Sequence, residues 1–202
     1  MIFIALLALS LAWNALRYVN FDPKFGFLRL KQKAIETGLY LPAYYSHVLV
    51  GGIILVIGLF QIYPRWNLKW RSLHRVLGFC YVMGILFFAA PGGMVMSFFI
   101  GRGPFVLASF MVQGVLWFIS TARAFSYIRR GDIQQHREWM WRSYALTLAA
   151  ITLRVYIFFA SYYVDLTSPQ AYATIAWLSW IPNLVVAEIM IRKRRNLQPQ
   201  TS

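Results

Sequence analysis

His74 and His136 are each followed by arginine, as His74-Arg75 and His136-Arg137, and each opens a long apolar stretch. Two imidazoles brought to one membrane level by helices running the same way can bind a metal from both sides. An arginine beside each suits a cofactor that carries carboxylates, because guanidinium pairs with carboxylate in a planar fork. A b-type haem meets both conditions. The iron would take His74 and His136 as axial ligands, and Arg75 and Arg137 would hold the propionates. The same placement also fits histidines that cap helix starts or touch lipid phosphate, and spacing alone does not choose.

The third histidine belongs elsewhere. His47 opens an earlier apolar stretch, and its helix face continues through Gly51, Ile54, Gly58 and Gln61. Counted at ~1.5 Å per residue, His47 and Arg154 come out at similar depths near the outer leaflet. Asp165, in the following loop, is within reach of Arg154 along the chain. Such a cluster would bind an anionic headgroup, a quinone carbonyl or a small acid; it fits a structural polar clasp equally well. On the inner side Gln61, Asn183 and Glu188 add polar groups near His74 and His136, and Glu188 has Arg192 one turn away. Arg142 is expected to snorkel to the interface.

These residues need helices to hold them. The stretch 131–160 reads as one helix with a polar seam. Counted at ~100° per residue from His136, the side chains of Met140, Ser143, Thr147, Ala150 and Arg154 fall within about 40° of it. An ionisable group at the centre of a bilayer costs about 3 kcal/mol even on lenient scales, so the seam should face protein or a wet cavity. In the third apolar stretch His74, Gly78, Tyr81, Ile85 and Gly92 share a stripe, where Gly78 would leave room for a flat ring.

The whole chain is built for a membrane. Of its 202 residues 59% are hydrophobic and only 13% charged, which predicts an all-α, polytopic helix bundle forming a single integral membrane domain, 1–202. Six apolar spans fall near 1–17, 45–62, 75–99, 104–126, 138–160 and 171–191. The net charge of +14 would suggest nucleic acid in a soluble protein, but these cations lie in loops between spans, where the positive-inside rule accounts for them. Three loops agree: Arg65, Lys69, Arg71 and Arg75; Arg123, Arg129, Arg130 and Arg137; and the tail 192–202 with Arg192, Lys193, Arg194 and Arg195. They put both termini in the cytoplasm. The connection 18–44 disagrees, with Lys24, Arg29, Lys31 and Lys33 on the outer side, and is expected to hold a short interfacial helix around 27–39. Kinks are expected at Pro91 and Pro182, and interfacial anchors at Tyr40, Tyr44, Tyr45, Tyr162 and Tyr163. The N-terminus lacks a basic region and a cleavage site, so it reads as a retained first helix. With one cysteine, Cys80, no internal disulfide forms. Phosphate loops, HExxH, CxxC and nucleophile elbows do not occur.

Four blocks carry a family resemblance: SHVLVGGIILVIGLFQ, LHRVLGFCYV, RRGDIQQHREWMWRSYALTLAAITLRVY and WLSWIPNLVVAE. Taken in order over 44–188 they resemble the bacterial membrane family called domain of unknown function 2306. The resemblance implies a bacterial cytoplasmic membrane location. It places the family's usual polar positions on His47, Gln61, His74, Arg75, His136, Arg137, Arg142, Ser143, Arg154, Asn183 and Glu188. The chain is also similar to transmembrane b-type cytochromes of the ascorbate-reducible and ferric-reductase kind, which hold haem between histidines two helices apart. That likeness implies one haem, since His47 has no histidine partner on the fourth span. The expectation is a one-haem electron-transfer protein with a quinone or redox partner. The alternative is a non-enzymatic carrier, sensor or accessory subunit that binds a lipid, quinone or small anion.

Overall fold

A computed structural model describes residues 2–62 and 70–197. Among these the chain is all-helical, and six helical crossings have the length and apolarity to span a membrane. The first is α1 (Ile2–Leu16), extended by a 3-10 turn, and the second is α2 (Tyr40–Ile62). The third runs as α3 (Arg71–Gly84), a π-helical turn (Ile85–Ala89) and α4 (Ala90–Ser97). The fourth is α5 (Pro104–Arg129) and the fifth α6 (Ile133–Ala160), while the sixth is broken into α7 (Pro169–Leu178) and α8 (Ile181–Leu197). Six crossings bring Ile2 and Leu197 to the same side, called here the near side. Arg65 and Lys69 of the loop between the second and third crossings, and the tail beyond Leu197, lie outside the described residues.

Four crossings make the core. The second packs on the third, the third on α5, α5 on α6, and α6 back on α2. Neither diagonal, α2 to α5 or the third crossing to α6, brings backbones together. The first crossing covers α2 and α6; the sixth covers α5 and α6.

Small residues set the close approaches. A Cβ at Gly92 would lie 2.7 Å from the Ala43 carbonyl oxygen and 2.3 Å from Ser46 Oγ, so α4 and α2 touch at backbone distance. A Cβ at Gly58 would enter the Tyr144 ring, which seats α6 against α2.

Several expectations are corrected here. The irregularity expected at Pro91 lies one turn earlier, as the π turn. Proline has no N–H to offer the preceding carbonyls, and the widened turn re-registers them without breaking the helix. Pro182 does mark a break, between Leu178 and Ile181. Tyr40 and Tyr44 are not interfacial anchors: they are 1% and 4% exposed and pack with Tyr18 and Leu28. Tyr162 and Tyr163 are exposed, as anchors are. The loop after α1 folds as a 3-10 helix, Gly26–Lys31, running into a short turn of α-helix, Gln32–Ile35.

Candidate functional site

Tyr81 of α3 and Ser143 of α6 fix what faces what across one core diagonal. Their hydroxyls meet at 3.2 Å although the two backbones stay apart. His74 lies seven residues before Tyr81, and His136 seven before Ser143. Seven residues return a helix to nearly the same face, about 10 Å along its axis. The two histidines therefore point into the same diagonal gap, one level nearer the near side, and they lie within electrostatic reach of each other. Both are half-buried.

The rings differ in their partners. His136 Nδ1 donates to the Ala124 carbonyl at 2.9 Å. A carbonyl only accepts, so Nδ1 holds the proton and Nε2 keeps its lone pair free for a ligand. His74 Nδ1 is sealed from solvent with no hydrogen-bond partner. Arg75 and Arg137 are exposed beside the histidines.

The room expected at Gly78 is taken. Gln61, buried on α2, lies 3.7 Å through its Oε1 from where a Gly78 Cβ would stand, and its Nε2 donates to the His74 carbonyl. Two surface recesses, about 340 and 480 Å³, are lined around Leu184 and around Lys31, and neither His74 nor His136 lines them. A flat group between the histidines would have to displace the Gln61 carboxamide.

Above this level the seam closes into a hydroxyl network. Thr147 Oγ1 donates to the Ser143 carbonyl, and Thr121 Oγ1 to the Trp117 carbonyl. With those hydrogens committed, Ser143 donates to Thr121 at 2.8 Å, and Thr147 accepts from Trp117 Nε1 at 3.0 Å and from the Tyr81 hydroxyl at 2.8 Å. Ser143 and Tyr81 are each 0% exposed. The seam thus faces inward at Ser143 and Thr147, as its periodicity demands, and what it faces is protein.

Other predicted partners change. Glu188 pairs with Arg142, not with Arg192: Arg142 Nε meets Oε1 at 2.5 Å and Nη2 meets Oε2 at 3.0 Å. Arg142 accordingly does not snorkel; it lies against α8 and over the Trp139 ring. Asn183 is not beside the histidines. Its Nδ2 donates to Thr152 Oγ1 at 3.0 Å, Ala145 O and Ser179 O, which staples the break in the sixth crossing to α6.

At the far side His47 Nδ1 donates to the Ala89 carbonyl at 2.7 Å, with its ring against Gly93. Arg154 lies within electrostatic reach of His47, as equal depths require. Asp165 does not join them. It accepts from Thr167 N and Oγ1, and these hydrogen bonds hold its carboxyl below the usual range. Arg154 donates instead to its own Ala150 carbonyl at 2.8 Å.

Sequence reasoning missed three things. Trp117 and Thr121 were passed over although Ser109, Gln113 and Ser120 mark a polar stripe on α5 beside which both lie. Glu138, 6% exposed, was passed over, and it forms a forked pair with Arg195. An acid one helical turn inside a basic helix start was the available signal.

Fold and site together define an integral membrane protein with a diagonal four-helix core and polar groups turned inward. The chain belongs to the family described as predicted membrane protein (DUF2306), which matches residues 44–191. No curated protein and no solved structure matches it.

Proposed function

We propose that this protein carries electrons within a bacterial cytoplasmic membrane through one b-type haem held between His74 and His136. The observation that carries the reading is that His74 and His136 each stand seven residues before one partner of the Tyr81–Ser143 hydroxyl pair, on two helices whose backbones stay apart. A planar group ligated from both sides needs that separation, and helices in direct contact would exclude it. The partnerless ring nitrogen of His74 fits a ligand position. The Ala124 carbonyl fixes the tautomer of His136, which leaves the Nε2 lone pair available to a ligand. His74 and His136 are the two side chains that would hold the iron; no group of three His, Cys, Asp or Glu that could hold a metal ion occurs among the described residues.

Within this reading haem supplies one-electron transfer at a potential set by its ligands and burial. Arg75 and Arg137 would pair with the carboxylates of the group at the near surface. Gln61 would have to give way beside Gly78 for the group to enter. The basic residues around α3, α6 and α8 favour a cytoplasmic near side, and in this reading electrons pass between a cytoplasmic donor or quinone and an acceptor.

An optical spectrum of protein expressed with ample haem tests this. A Soret band and a reduced α band are expected, both lost in His74→Ala and in His136→Ala. A spectrum without them, or one unchanged in both variants, ends the proposal. The alternative, a carrier or sensor for an anionic ligand, is favoured by a separate observation at the far side.

A further inference from the structure

Arg154 is the one charged side chain of its helix that lies deep on the far side. It sits about 9 Å below the end of α6, counting 1.5 Å per residue. Apart from the bond to Ala150, no acceptor meets its guanidinium among the described residues. The two ion pairs among those residues both belong to near-side arginines. Around Arg154 stand His47 and the phenols of Tyr18, Tyr44 and Tyr172, all within electrostatic reach. Arg102 lies over the other side of the site, 4.3 Å from the Tyr172 ring centroid. Lys31 follows, donating to the Phe99 carbonyl at 2.8 Å; burial and the neighbouring Arg102 hold it below the ordinary lysine value.

Arg154 and Arg102 thus both lie within reach of Tyr172, with Lys31 beside Arg102, and no carboxylate is within ion-pair distance of any of the three among the described residues. A cation in a membrane span without a counter-ion is costly, and a set rich in donors calls for an anion. Phe158, one turn beyond Arg154, and Phe159 are exposed apolar surface at the same end, suited to acyl chain. We infer that Arg154, Arg102 and Tyr172 form a binding site for the phosphate of an anionic phospholipid headgroup in the far leaflet. The depth of Arg154 selects a lipid over a soluble anion, because a phosphodiester with attached chains reaches that level while its tails cover Phe158. This also gives a role to the cations of the 18–44 connection, which the positive-inside rule leaves unexplained. Lys31 holds the Phe99 carbonyl just beyond α4 and adds to the field over the site.

Thermal unfolding of detergent-purified protein, titrated with phosphatidylglycerol, phosphatidylcholine or inorganic phosphate alone, tests the site. Wild type should be stabilised by phosphatidylglycerol and much less by phosphatidylcholine. In Arg154→Gln the lipid concentration for half the effect should rise at least tenfold, and Arg102→Gln should shift it in the same direction. Equal responses of wild type to the two lipids, or an unchanged titration in folded Arg154→Gln, would overturn the inference. So would inorganic phosphate reproducing the full effect, which would make the ligand a soluble anion. None of these outcomes depends on haem.

Discussion

Replacing Thr147 by valine removes one oxygen and leaves two buried donors without their acceptor. The side chain keeps its branched shape, so what changes is hydrogen bonding. Thr147 Oγ1 accepts from both the Tyr81 hydroxyl and Trp117 Nε1, and both donors lie where water does not reach. A stranded buried donor costs about 1–3 kcal/mol in soluble proteins, whereas hydrogen bonds in membrane proteins average nearer 0.6 and reach about 1.7. Tyr81 keeps a second acceptor in Ser143 at 3.2 Å, so its loss is partial. The expected cost of Thr147→Val is therefore about 1–2.5 kcal/mol. Tyr81→Phe removes a donor together with its need, and should cost about 0.5–1.5 kcal/mol. In the double variant the Tyr81 donor is no longer present to be stranded, so the combined loss should fall short of the sum by roughly 0.5 kcal/mol or more. Reversible unfolding in mixed micelles, followed by tryptophan fluorescence, measures all three. A Thr147→Val variant no worse than Tyr81→Phe, or strictly additive losses, would refute the donor assignment.

The Arg142–Glu188 pair should obey the rule for partly buried ions: Glu188→Leu or Arg142→Met alone costs about 1–3 kcal/mol, while the double replacement costs less than either, by the same unfolding assay. Gly92→Ala drives a Cβ into the Ala43 backbone and should lower folded yield in size-exclusion profiles, with overpacking of about 1–3 kcal/mol. Gly51→Ala, where a Cβ meets nothing within 4 Å, should be neutral or mildly stabilising. In a Cys80→Ser background, cysteine at Tyr163 should react with an impermeant maleimide in intact cells, and cysteine at Arg130 only after lysis. The reverse pattern would invert the orientation.

Long-period signals were legible in the sequence and local contacts were not. Hydropathy gave six crossings because each bilayer passage needs about 20 apolar residues. The periodicity of α6 gave the inward direction of Ser143 and Thr147, since an amphipathic stripe survives whatever the helix packs on. Partners set by tertiary packing escaped. Glu188 has an arginine one turn away in Arg192, yet it reaches across to Arg142 because α8 lies along α6. Tyr40 and Tyr44 look like interfacial tyrosines until the 3-10 segment of the preceding loop covers them with Tyr18 and Leu28. Asp165 lies close to Arg154 in sequence, but Thr167, two residues away, captures it at far lower entropic cost. Nor could the sequence tell that Gln61 fills the notch at Gly78, which depends on where α2 and α3 cross.

The haem content of purified protein, measured against protein concentration, tests the central claim most directly. One haem per chain is expected in wild type and in His47→Ala, and almost none in His74→Ala or His136→Ala. Haem bound equally well by either of the latter, or by none of the four proteins, would contradict the diagonal histidine site.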